Sequence, residues 1–104
     1  NARLFLAPGM MHCGGGAGPD AFNGTLGIPP QPPAYDGKHD IFTALIDWAD
    51  GGAAPQTIIA TKFADEDAGR IETQRPLCPY PQKAVYRGWG STASASNFVC
   101  TAPE

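Results

Sequence analysis

The sequence predicts an α/β fold, ordered as a strand, a histidine-bearing loop, a helix, a strand pair and a stapled tail. Three observations carry that expectation. A short apolar run ends in Pro8-Gly9 and gives way to a glycine-rich loop holding His12. Residues 40–50 space their apolar side chains along one helical face. Runs rich in β-branched residues follow, separated by turn-forming residues. Composition adds a constraint. Leu, Ile, Val and Phe supply 18 of the 104 residues, while Gly and Pro supply 24. That apolar share lies under the roughly 20% below which a chain struggles to order itself. The net charge of −3 is too small for simple disorder. A compact body that borrows its core from something larger satisfies both facts.

Residues 3–7, Arg-Leu-Phe-Leu-Ala, read as a short buried strand. Met10 to Gly18 follows as a loop. Its glycines give the backbone freedom to turn sharply after His12 and to pass close to neighbouring backbone. Residues 19–37 carry five prolines and three glycines, and read as a long ordered loop. Asp40 is a good N-cap, and Ile41, Phe42, Leu45, Trp48 and Ala49 form the apolar face of a helix over 40–50. Gly51-Gly52 stops it. Thr57 to Phe63 reads as a strand, Asp65 to Gly69 as an acidic turn, and Ile71 to Arg75 as the returning hairpin arm. Leu77 to Pro81 is extended. Lys83 to Arg87 reads as the last strand, and Asn97 to Cys100 returns to be stapled.

Several function classes fall away. A sequence pI near 5.2 argues against the basic footprint of a nucleic-acid binder. No segment approaches the ~20 apolar residues of a membrane-spanning helix. Residues 1–20 lack the charged start and long apolar stretch of a signal peptide. The chain opens on Asn1, as at a processing site or a truncated boundary. His12, Cys13 and His39 lack the spacing of a zinc site, so no metal is expected in this chain. The run Gly14 to Gly18 lacks the Lys-Ser/Thr ending of a phosphate loop.

The three cysteines are Cys13, Cys78 and Cys100. A bridge between Cys78 and Cys100 would pin an irregular tail, worth about 3 kcal/mol by loop entropy. Cys13 is then the odd one, either a free buried thiol or a partner for a cysteine outside the chain. Asn23-Gly24-Thr25 is an N-glycosylation sequon, in keeping with a secretory route. His12 sits just past a strand end, where a scaffold can hold it in an open cleft as a general base and then a general acid. The plainer reading is a loop histidine satisfied by a backbone carbonyl. Trp48 reads as helix packing, and Tyr86 and Trp89 as sheet cover or a groove wall.

The residues also carry a resemblance. Arg3 to Met10, then His12-Cys13-Gly14-Gly15-Gly16 and Gly18-Pro19-Asp20, resemble the C-terminal region of the tannase and feruloyl esterase family. So do Leu45-Ile46-Asp47-Trp48, Ile59 to Lys62, and above all Arg75-Pro76-Leu77-Cys78-Pro79-Tyr80-Pro81. Ala84, Tyr86, Gly88 and the closing Asn97-Phe98 and Cys100 fit as well. Met11 departs from the pattern, which more often has Gly before the histidine.

The resemblance implies the C-terminal part of an α/β-hydrolase, with residues 1–104 as a segment or small subunit of one catalytic domain, incomplete without an upstream chain. It implies a secreted serine esterase acting on phenolic-acid esters, feruloyl or galloyl. His12 matches the triad histidine. Cys13 matches a cysteine bonded to another beside the nucleophilic serine, and Cys78 and Cys100 match the C-terminal disulfide. The expected partner is the upstream or large chain carrying that serine, the triad aspartate and the second cysteine. A calcium site is implied only in the upstream lid. Two other readings stand beside this one: a secreted, stapled binding module using Trp48, Tyr86 or Trp89 as a platform, and an inactive relative.

Overall fold

The computed structural model describes residues 2–10, 17–23, 31–64 and 67–103. Among these residues it has α/β content: one α-helix, a short 3-10 turn at Ala95–Asn97 and two antiparallel two-stranded sheets. The helix α1 runs Ile41–Ala49. The strands are β1 (Ile58–Ala64), β2 (Asp67–Leu77), β3 (Lys83–Tyr86) and β4 (Phe98–Thr101). β1 pairs with β2 from Ile58↔Leu77 onward, with an irregularity at Lys62 to Ala64. β3 pairs with β4 from Lys83↔Thr101 to Tyr86↔Phe98.

Local chemistry explains α1. The Asp40 carboxylate accepts from the Thr43 backbone N–H at 3.2 Å and from its hydroxyl at 2.6 Å, which satisfies an otherwise orphaned helix donor. The Phe22 carbonyl accepts the Ile41 N–H at 2.8 Å. At the other end Gly51 has φ +94°. There the Gly51 N–H bonds Trp48 O at 3.2 Å and the Gly52 N–H bonds Asp47 O at 3.0 Å, a Schellman closure.

The core is small. Ala44, Ile58, Ala60 and Leu77 are buried together, with Phe5, Ala7, Phe22 and Ile41 packed against them. Full burial of residues such as Ile58 and Leu77 contributes about 1.5–3 kcal/mol each. Two of the four central residues are alanines, which limits what this core can supply. The disulfide Cys78–Cys100 joins the end of β2 to β4 and ties the second sheet to the first. Arg75 reinforces the join, with its guanidinium 4.5 Å over the Phe98 ring and its Nε donating to Thr92 O at 3.1 Å.

Four elements differ from the sequence expectation. Residues 3–7 make no strand; Phe5 forms a single bridge with Pro79, and the Leu4 carbonyl accepts from the Tyr80 N–H at 2.6 Å. A strand needs a neighbour's backbone groups along its length, and this segment finds only a short stretch of them. The acidic turn is shorter than expected, because β2 already begins at Asp67. Lys83–Tyr86 is not the last strand; Phe98–Thr101 follows and pairs with it. The helix turns Ala44 and Ile41 toward β1, leaving Phe42 and Leu45 of the predicted buried face exposed.

Candidate active-site frame

The described residues include both flanks, in sequence, of the segment that carries His12. His12 and Cys13 themselves lie outside the described residues, as do Met11 and Gly14 to Gly16. The chain reaches this segment through a turn at Pro8-Gly9. It comes back at Gly18-Pro19, and the two ends touch. The Gly18 N–H donates to the Gly9 carbonyl at 2.9 Å. Gly9 has φ +75°, a left-handed backbone that favours glycine.

Both legs below this crossing are stitched to the β1–β2 sheet. The incoming leg is held through Phe5↔Pro79. The outgoing leg is held through Ala21↔Thr61, whose backbone bonds measure 2.8 and 3.1 Å. Thr61 is fully buried, and its hydroxyl accepts from Gln74 Nε2 at 3.1 Å. A cleft of about 380 Å³ opens beside the crossing, lined by Pro8, Gly18, Pro19, Leu77, Cys78 and Phe98 among others. Arg75 and Lys83 give its wall a positive character.

The other candidates lie elsewhere. His39 donates or accepts through Nδ1 to Asp36 at 2.9 Å, an exposed pair within one turn. The same Asp36 oxygen accepts the backbone N–H groups of Lys38 at 3.0 Å and His39 at 2.8 Å. The His39 side-chain bond, with those backbone donors, holds the Asp36 carboxyl below its usual 3.8. This is turn chemistry, local to the approach to α1. Ser91, Ser94 and Ser96 all sit in the β3–β4 connection, where they bond one another or nearby backbone. No sharp strand-to-helix turn presents any of them as a nucleophile.

A second groove, also about 380 Å³, runs along α1 between Phe5, Phe42, Leu45, Trp48 and Pro55, with Asn23 on its wall. Arg3 lies 5.4 Å over the Trp48 ring. Asn23 is exposed, while Gly24 and Thr25 of its sequon lie outside the described residues. Trp48 belongs to α1, whereas Tyr86 ends β3 and Trp89 follows it, so the three alternative aromatic platforms lie on separate parts of the fold. Tyr86 packs on Phe98 and donates to Gly90 O at 2.5 Å, closing its own hairpin.

These features meet a family pattern along almost the whole sequence. A family model described as tannase and feruloyl esterase matches residues 1–101. The chain belongs to that family. Among its relatives, an uncharacterised esterase of Xanthomonas campestris is 44% identical over 94% of this chain and 17% of its own length. A mono(2-hydroxyethyl) terephthalate hydrolase of Piscinibacter sakaiensis is 41% identical over 98% of this chain and 14% of its own. The crystal structure of an esterase from Aspergillus oryzae superimposes with a TM-score of 0.72 at 29% identity, over 89% of this chain and 18% of that one. The chain therefore spans about one-sixth of the length of these family members.

Within the family, the sequence motifs flag His12 and the cysteines. The close backbone approach at Gly18 accords with the freedom read for the glycine run, whereas Gly9 as its counterpart and Thr61 as the anchor escaped that reading. Its one trace was the mirrored pair Pro8-Gly9 and Gly18-Pro19, bracketing the histidine segment.

Proposed function

We propose that this chain is the C-terminal part of a secreted carboxylic-ester hydrolase acting on phenolic-acid esters, and that His12 is its general base. The match to the tannase and feruloyl esterase family over residues 1–101 carries the reading. The crossing of Gly9 and Gly18 supports it, because a catalytic histidine needs a loop anchored at its base.

In the proposed reaction His12 takes the proton from a serine hydroxyl as its oxygen attacks the ester carbonyl. The tetrahedral intermediate collapses when His12 gives that proton to the departing alcohol. His12 next removes a proton from water as it attacks the acyl-enzyme, and returns that proton to the serine oxygen as the acyl bond breaks and the phenolic acid leaves. An aspartate fixes the imidazole tautomer. Serine and aspartate come from the remainder of the protein, which forms the partner of this chain. Cys13 bonds a cysteine beside the serine there, linking the two catalytic loops. The calcium of the lid also belongs to that remainder.

The exposed side of α1 supports such a partner. Seven of its nine residues are apolar, and a helix apolar all round is one enclosed by a larger body. Asn23 lines the same groove, so a glycan there and a covered groove compete for one space. The groove has the wider support, resting on a whole helix face.

The experiment is His12→Ala in the full-length protein, assayed on feruloyl, galloyl and mono(2-hydroxyethyl) terephthalate esters. Loss of roughly 10³-fold or more in kcat with an unchanged melt is expected. Retention of more than about 1% of parent activity contradicts the role given to His12.

A further inference from the structure

We infer that Gly9 and Gly18 form a locked backbone crossing that positions His12, which makes both of them positioning residues for ester hydrolysis. The inference rests on the role proposed above for His12 and adds two residues to that site. The crossing has no room for a side chain. A Cβ on Gly9 would stand 2.7 Å from the Gly18 nitrogen and 2.9 Å from its Cα. A Cβ on Gly18 would overlap the Pro8 carbonyl oxygen and stand 3.0 Å from its carbon. These neighbours are backbone atoms, so no rotamer change relieves the overlap.

The strain has one direction in which to go. Below the crossing, Phe5 is held against Pro79 and Ala21 against the fully buried Thr61. Separation of the two legs is therefore expected to fall on Met10 and Ala17, the described ends between which the His12 segment runs in sequence. His12 lies only three residues past Gly9. Activation of a serine hydroxyl needs the imidazole within about 2.6–3.2 Å, and a misplacement near 1 Å costs about 10²-fold in rate. Substrate contacts supplied by the rest of the protein are untouched by such a shift. The loss therefore falls on kcat, with KM little changed.

Gly51 supplies the control. Its φ is +94°, yet a Cβ there would meet no atom within 4 Å. Gly51→Ala introduces left-handed strain at the end of α1 without moving the crossing.

The test measures kcat, KM and the pH profile of kcat for Gly18→Ala, Gly9→Ala and Gly51→Ala in the full-length protein, on the phenolic ester that the parent hydrolyses best. Gly18→Ala and Gly9→Ala are expected to lower kcat about 100-fold with KM within about threefold, and to shift the acid limb of the profile. Gly51→Ala is expected to keep kcat within about threefold. A Gly18→Ala protein that melts like the parent and keeps its kcat overturns the inference. Equal loss in Gly51→Ala overturns it too, because general strain then suffices. Should Gly18→Ala not accumulate as folded protein, Gly9→Ala, with the milder overlap, decides alone. His12→Ala measured alongside separates the two levels. Activity kept there removes the proposed reaction, while activity lost there but kept in both glycine variants removes this inference only.

Discussion

Asp36 is the residue whose ionisation the fold most clearly moves. It accepts from the His39 side chain and from two backbone N–H groups, so its carboxyl titrates below 3.8. A lowered folded-state value means stability that is present above the unfolded-state pKa and lost as pH falls through the folded one. The window is therefore acidic, below about 3.8, and the effect is small because the pair is exposed to solvent and salt. An NMR titration of the Asp36 carboxyl should give a midpoint below 3.8 that moves up toward it in His39→Ala. An unmoved midpoint in that variant would show that His39 is not the cause. At this scale the sequence was legible for side chains with a local or paired signature, such as Asp40, which caps α1, and Cys78 and Cys100, which are bonded. It was not legible for Gly9 and Gly18, because a glycine announces freedom without saying which distant backbone it must let pass.

At the scale of elements, α1 was readable because everything that starts and stops it is local. Asp40 caps Thr43, and Gly51-Gly52 closes the last turn. The arm of residues 3–7 was misread because pairing is not local: apolar character gives propensity, and only the placement of Pro79 decides how many bonds form. The face of α1 that turns inward was misread for a related reason. Period alone marks the apolar stripe, but it is Ala44 that is buried in the cluster with Ile58, Ala60 and Leu77. The β3–β4 hairpin depends on long-range ties, chiefly Cys78–Cys100 across a separation of 22 residues. Replacing both cysteines by alanine should lower the unfolding free energy by about 3 kcal/mol, mainly through the entropy of the unfolded chain. A denaturant midpoint unchanged from the parent would mean that the Arg75–Phe98 stack and the backbone bonds hold the hairpin without the disulfide.

The molecule as a whole exposes too much surface for its size. Its accessible area is 6629 Å², whereas a compact monomer of this mass exposes about 5,600 Å². Large apolar side chains stand exposed, including Leu45 at 53% and Trp89 at 69%. Composition foreshadowed this: too few aliphatic residues to finish a core, yet too little charge for disorder. The family match takes up only 14–18% of each relative's length. The proposed account joins these facts through one covalent link, between Cys13 and a cysteine beside the catalytic serine. Peptide mapping of the full-length oxidised protein, compared before and after reduction, tests it most directly. The account predicts that Cys13 is recovered bonded to a peptide with a Cys-Ser pair, and that reduction releases the two. Recovery of Cys13 as a free thiol, or joined to Cys78 or Cys100, would contradict it.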